Sequence, residues 1–567
     1  MPETIADRFD VVIGGGGLAG LCLARQLRLR LPQLKLAVID AHARPLPEAA
    51  FKVGESTVEI GAHYLGQVLG LEDYILKRQL TKFGLRYFLG DGHLPLEQRA
   101  EWGTDQPMPV PSYQLDRGRL EEDLREMLLQ DGVHLVEGQK ITDITLSESN
   151  GDHLVKVSDA GVTGHFRCSW FIDAMGRRKF LQRKLGLEKP SPHRASAVWF
   201  RMEGRLDIED LVGKENATWH HRVPGKRRFY STNHLMGKGY WVWLIPLSSG
   251  NTSIGIVTEE ALHPYRSYAS YSKALGWLQN HEPALFNFLK NRQPLDFLGL
   301  RHFSYLSKKV FSHQRWACVG EAALFLDPFY SPGSDIIALS NLITESLIRQ
   351  DLQGGLDASM ARNYNQFFLG FAKTFLQTYT QRYAVFGAPQ VAAEKILWDT
   401  CLYWVWAGQL FFRGLLDKPH LFPKLMQLGI QFSLLHRQMQ DFFCQWAEQT
   451  QGVLGDAFTS PLNIPIFKEL HLDLVREKTP DQAIGDMWKN LERFEEWAQV
   501  LFFRVLAQLD LVSKSKFGEH PWVDAWSINL DPATWEASGL CRPSSLPRSL
   551  DGIRRDLAEV PVAETVS

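Results

Sequence analysis

Three glycines near the start of the chain, Gly15, Gly17 and Gly20, stand in the spacing G-x-G-x-x-G, and an acid, Asp40, follows the last of them by about twenty positions. That combination suits the binding of a dinucleotide. The first glycine permits a tight turn, the second lets the backbone approach a pyrophosphate, and the third lets a helix pack closely on a strand. The free N–H groups of the helix start then receive phosphate, and the acid accepts hydrogen bonds from ribose hydroxyls. Farther along, WVWLIP places Trp241 and Trp243 on one side of a strand. LTKFG sets Lys82 two residues before a glycine, in a segment that also holds Lys77 and Arg78, and taken alone it reads as a surface lysine. No H-E-x-x-H and no clustered cysteines occur, so no metal site is expected.

These residues need a scaffold. FDVVIGGGGLAGLCLARQLRLR reads as strand, glycine turn and helix, and LKLAVID as a second strand ending on Asp40, which makes a βαβ unit. A helix is predicted over RGRLEEDLREMLLQ from near Arg117, short strands from Leu154 to Asp173, and a β-rich stretch from about Ala195 to Val257 that walls a substrate chamber. WACVG resumes the strand pattern at Trp316, and EAALFLDPFYSPGSDIIALSNLITESLI leads from a loop into a helix. Beyond Asn341 the chain reads mostly helical. The apolar run from Cys401 to Leu416, with Tyr403, Trp404 and Trp406, reads as a buried or cap helix. LDLVREKTPDQAIGDMWKNLERFEEWAQVLFFRVLAQL is expected to break at its Pro and Gly, and the Pro/Ser-rich end past Arg542 is expected to be mobile.

The balance of 62 Lys and Arg against 64 Asp and Glu in 567 residues gives no support for a polybasic nucleic-acid binder or an acidic tail. Six scattered cysteines without C-x-x-C spacing argue against a disulfide framework and fit a reducing, cytoplasmic setting. The acidic opening MPETIADRFD is no signal peptide, and no transmembrane segment is expected.

Several separated segments together resemble the flavin-dependent halogenases, within the glutathione-reductase-type FAD monooxygenase superfamily: GGGLAG, VGES at Val53–Ser56, QLDR at Gln114–Arg117, WVWLIP at Trp241–Pro246, and VGEAALFLDPFYSPGSD at Val319–Asp335. The resemblance covers roughly residues 8 to 350 and is to the branch that does not act on tryptophan. It implies an α/β fold, with an FAD-binding three-layer Rossmann-like domain, an inserted β-sheet substrate region and a helical C-terminal extension. The expected boundaries are 1–190 and 311–350 for the FAD-binding region, 191–310 for the β-rich region and 351–567 for the extension.

By the same resemblance, Gly15, Gly17, Gly20 and Asp40 surround the AMP half of FAD, with Arg117 on the nucleotide side. Glu55, Ser56, Asp173, Glu321, Pro328, Gly333 and Ser334 complete the cofactor set. Lys82 corresponds to the family's catalytic lysine. The implied reaction uses reduced FAD from a separate flavin reductase, O2, and chloride or bromide. Hypohalous acid then passes Trp241 and Trp243 to Lys82, where an electron-rich aromatic, either a small molecule or bound to a carrier protein, is held. Two departures stand out. Tyr330 occupies the loop position where tryptophan-specific members carry a glutamate, which points to a phenol, pyrrole or carrier-linked aromatic. Pro332 removes an N–H from the loop that cradles halide. Open alternatives are an FAD-dependent aromatic hydroxylase, a non-oxygenating flavoprotein reductase or dehydrogenase, and a catalytically silent flavin-binding partner.

Overall fold

The computed structural model describes residues 7–46, 53–148, 151–159, 162–450, 454–511, 517 and 522–561. Its first sheet grows from the glycine-turn segment. Asp7–Gly14 forms β1, Leu18–Arg30 forms α1 and Leu36–Asp40 forms β2. The strand β1 lies between β2 and Val162–Asp173, parallel to both, with Val11 opposite Leu36 and Trp170. Its apolar run Val11, Val12 and Ile13 is buried because parallel strands are covered on both faces. His134–Glu137 extends the sheet beyond β2, and Trp316–Cys318 extends it on the other side. The predicted helix starts at Arg117 and ends at Gln130.

A second sheet of eight strands stands against the first. Its order runs Leu298–Leu300, Ala195–Met202, Thr252–Glu259, Tyr240–Pro246, Thr232–Gly237, Leu85–Leu89, Ala100–Trp102 and Phe458–Thr459. It therefore draws strands from before residue 190 and from the C-terminal half. A two-stranded ribbon pairs Leu80–Lys82 with Ser112–Gln114, placing Lys82 opposite Ser112. Gly84, at φ +71, turns the chain from that ribbon into Leu85–Leu89, a conformation glycine adopts without steric cost.

Helices Gly333–Leu352, Ala358–Gln377, Pro389–Tyr403, Phe422–Gln449 and Pro480–Gln508 build the C-terminal layer. The run from Cys401 is buried, as expected, and passes through a π-turn at Trp404–Gly408. Among the described residues no helix is long and apolar enough to cross a membrane. The expected break near Pro480 occurs, where Thr479 and Gln482 form a reciprocal capping box. Gly485 does not break the helix: it lies inside Pro480–Gln508, whose apolar face packs along its length.

The expectation of a mobile end is corrected up to residue 561, and 562–567 lie outside the described residues. Arg548 bridges Glu495 (2.6 Å) and Glu496 (2.7 Å) on that long helix, and Ile553, Leu557 and Val560 are buried. Composition suggested solvent, but three spaced aliphatics anchor the segment. Burying each is worth about 1.5–3 kcal/mol. Deleting residues 543–567 is expected to lower the thermal midpoint by several degrees, as measured by differential scanning fluorimetry.

Candidate active site

Two cavities lie side by side under the second sheet. The first, of about 900 Å³, is lined by Glu55, Ser56, Arg117, Trp241, Trp243 and Glu321, and by the loop from Leu324 to Ser334. The second, of about 970 Å³, is lined by Lys82, Glu59, Tyr87, Tyr330, Asp335 and Asp399, together with apolar side chains of the C-terminal helices. Leu326, Pro332 and Ile336 belong to both walls and form the partition.

The glycine turn lies beside the first cavity rather than in its wall. A Cβ on Gly20 would sit 2.1 Å from the Gly15 carbonyl oxygen, so the third glycine does hold α1 against β1. Gly15 has φ +110 and presses on the Ala174 carbonyl, whereas a Cβ on Gly17 would meet nothing within 4 Å. The helix start is thus open to a phosphate-sized group. Asp40 accepts from Gly16 N–H (2.7 Å) and His42 N–H (2.9 Å), so its carboxylate braces the turn.

Asp173 lies at the end of its strand, outside both cavities. Its buried carboxylate accepts from the Met175 (3.0 Å) and Leu181 (2.8 Å) amides, and it lines neither cavity. Burial pushes its pKa up to about 6, and its bonds fix the turn after the strand. Glu55 remains in the first wall but is paired with Arg201 (3.0 Å). Arg117 donates to the Val53 carbonyl and to Glu121 (2.6 Å) and lines the same cavity.

The cavity chemistry fits FAD. Its walls combine the aromatic faces of Trp241 and Trp243, a guanidinium at Arg117, and the loop Pro328–Ser334, where the buried Ser334 Oγ has no hydrogen-bond partner among the described residues. FAD is the cofactor that these residues would hold. Among the described residues, no group of three or more His, Cys, Asp or Glu is placed to hold a metal ion.

The two tryptophans do not stand between the cavities. Their strand alternation puts both on the first cavity, with Trp241 Nε1 donating to Tyr383 OH (3.0 Å) and Trp243 Nε1 to Ser253 Oγ (3.3 Å). The residues that separate the two cavities are Leu326, Pro332 and Ile336. Alternation identified which side they share but not what lies on that side.

Lys82 is 1% exposed, not a surface lysine. Its Nζ donates to Ser56 Oγ (3.0 Å) and to the Thr57 carbonyl (2.5 Å), and Ser56 lines the first cavity while Lys82 lines the second. The amine thus sits at the seam. Burial lowers its pKa from 10.5 to about 7, against the opposing fields of Glu59 and Asp335. Asp335 is in turn raised to about 8 by burial, although Tyr403 and the Gly61 amide (2.8 Å) hydrogen-bond it.

Tyr330, at φ +67, points into the second cavity and donates to Asp399 (2.9 Å). Pro332 precedes the helix Gly333–Leu352. Among the described residues, no acceptor in the chain takes the Gly333 or Ser334 N–H. Both residues line the first cavity, so two helix-start amides remain for an anion where the proline has lost one.

Sequence reasoning missed Glu59, Tyr87, Asp335 as a partner of Lys82, and Asp399. Glu59 and Asp335 lay within or next to the matched segments. Lys395 and Asp399 carried a signal of their own: opposite charges at i, i+4 inside a helix with buried residues on every side.

Comparison with known proteins agrees with this geometry. The tryptophan halogenase family model matches residues 97–378. The flavin-dependent halogenase chlA of Dictyostelium discoideum is 29% identical over 393 residues, which span 61% of this chain and 61% of that one. A 1H-pyrrole-2-carbonyl-[peptidyl-carrier protein] chlorinase of Pseudomonas fluorescens is 27% identical over 58% of this chain and 73% of its own. The crystal structure of halogenase PltM in complex with phloroglucinol and FAD superposes with a TM-score of 0.62 at 18% identity, covering 86% of this chain and 96% of that one. The glycine turn, the two adjoining cavities with a buried lysine at their seam, and these matches lead to one conclusion: the chain is similar in sequence and in fold to the flavin-dependent halogenases.

Proposed function

We propose that this protein halogenates a free, hydroxylated aromatic compound, using FAD reduced by a separate flavin reductase, O2, and chloride or bromide. The observation that carries the reading is the burial of Lys82 at the seam of the two cavities, bonded to a residue that lines one and itself lining the other. Bound FAD, once reduced, supplies the reaction of O2 with halide that yields hypohalous acid.

The chain's own groups do the rest. Gly333 and Ser334 N–H groups, at the positive end of a 20-residue helix, hold halide in the first cavity. Trp241 and Trp243 fill that cavity's wall and exclude water. Hypohalous acid crosses the partition near Pro332 to Lys82. The Ser56 and Thr57 acceptors use two N–H bonds of the amine, which leaves the lone pair of its neutral form to take the halogen from hypohalous acid; the O–halogen bond breaks, and the hydroxide leaves as water with one proton from the amine. The aromatic ring then receives halogen from nitrogen and loses a proton.

The helical wall of the second cavity favours a free ligand over a carrier-held one. The phloroglucinol complex of PltM is consistent with a hydroxylated ring. Product mass settles the class of reaction. Incubation with reduced FAD, O2 and a phenol panel should add halogen only when chloride or bromide is present. Addition of oxygen regardless of halide would instead identify a hydroxylase.

The pH profile carries a sign. Lys82 is an ammonium below about 7 and an amine above it, so halogen transfer through the amine should rise with pH across about 7 and then level. Single-turnover rates with FAD reduced beforehand measure this limb.

A further inference from the structure

The second cavity contains a polar end that Lys82 does not explain. Asp399 lies in its wall, buried, and is held from three directions. Lys395 Nζ donates to Oδ2 at 2.6 Å, Tyr330 OH to Oδ2 at 2.9 Å, and Gln440 Nε2 to Oδ1 at 2.8 Å. Lys395 is itself fully buried and also donates to the Thr378 carbonyl (3.1 Å) and to Gln440 Oε1. Such a clamp fixes the carboxylate in place, and Oδ1, bonded only to Gln440 among the described residues, retains acceptor capacity.

Tyr87 lies in the same wall, 1% exposed, and its hydroxyl has no hydrogen-bond partner among the described residues. Asp399 and Glu59 line the same cavity, and the negative fields of both act on that phenol. A buried hydroxyl without a partner costs about 1–3 kcal/mol, unless a ligand supplies the partner.

We propose that Asp399 and Tyr87 form a subsite that reads a hydroxyl of the aromatic substrate. The carboxylate accepts the substrate O–H and the Tyr87 hydroxyl donates to the same oxygen, which holds the ring between this end and Lys82. The subsite is specific for a free phenol: an O-methyl ether cannot donate to Asp399, and its methyl group competes for the space. Asp399 and Tyr87 are specificity-determining residues here. The inference rests on the aromatic-substrate reading above.

Binding is measured by calorimetry with the FAD-loaded protein, without reductant or halide, so halogen transfer plays no part. The probes are phloroglucinol, resorcinol and 2-naphthol, each paired with its fully O-methylated ether. The parent protein is expected to prefer the phenols by at least about tenfold. Asp399→Asn and Tyr87→Phe should each shrink the phenol-to-ether ratio severalfold. Tyr87→Phe removes only an unpartnered hydroxyl and should fold as well as the parent, which keeps the test decisive if Asp399→Asn leaves Lys395 too poorly paired to fold. Equal binding of phenols and ethers, absence of phenol binding, or an unchanged ratio in folded Tyr87→Phe would overturn the subsite. A halide-independent product would overturn the proposed reaction while leaving the ratio intact, so the two failures are distinct.

Discussion

Lys82→Met is expected to reduce halogenation of the aromatic substrate by a factor on the order of 10²–10⁴, while FAD binding and folding persist. The loss follows from position. Lys82 is the amine at the seam of the two cavities, and methionine fills similar volume without a nitrogen to donate or accept. The stability prediction has the opposite sign. A lysine that ionises at about 7 when folded, against its ordinary 10.5, penalises the folded state on the order of 4 kcal/mol below pH 7. Between about 7 and 10.5 the unfolded chain binds the extra proton, so this penalty fades as pH rises. Methionine removes it and gives up two hydrogen bonds worth about 1 kcal/mol each. The variant should therefore unfold at a temperature no lower than the parent near neutral pH, as scanning calorimetry would show. A variant that is both inactive and unstable would mean that the lysine serves the fold.

Gly20→Ala should weaken FAD binding at least about 100-fold, or about 2.7 kcal/mol. Its added Cβ would sit 2.1 Å from the Gly15 carbonyl oxygen and 3.2 Å from the Ala174 Cβ. The first of these is backbone and cannot swing aside, so α1 must lift from β1, and the turn that presents its N–H groups is spread. Flavin fluorescence quenching measures the affinity. Gly17→Ala offers the contrast, since its Cβ meets no protein atom within 4 Å and any loss there reports on the cofactor itself.

The parts of this architecture that follow from short-range pattern were legible in the sequence. The β1–α1–β2 unit declared itself through glycine spacing and apolar runs, and the helix at Arg117 began where its sequence pattern placed it. Residues joined by long separations were not legible. Asp399 meets Tyr330 across 69 positions, and Lys82 meets its Ser56 acceptor through a ribbon register that no local signal encodes. Family resemblance singled out Lys82, yet burial, rather than residue type, gives it a lowered pKa. The turn-bracing bonds of Asp173 were not legible, because a carboxylate at a strand end looks the same in sequence whether it faces a cofactor or caps its own turn. The tail past Arg542 was misread because Pro and Ser outweighed three aliphatics whose spacing matters only against the Pro480–Gln508 helix.

The account's central claim is that oxidant made in one cavity is handed to the aromatic in the other by Lys82. The most direct measurement follows where halogen goes when that hand-over is cut. Lys82→Met would be given reduced FAD, O2, bromide, an aromatic substrate and taurine as a soluble trap, with both brominated products quantified by mass spectrometry. The account predicts bromine on taurine and almost none on the aromatic, the reverse of the parent protein. Bromination of the aromatic at the parent rate would contradict it.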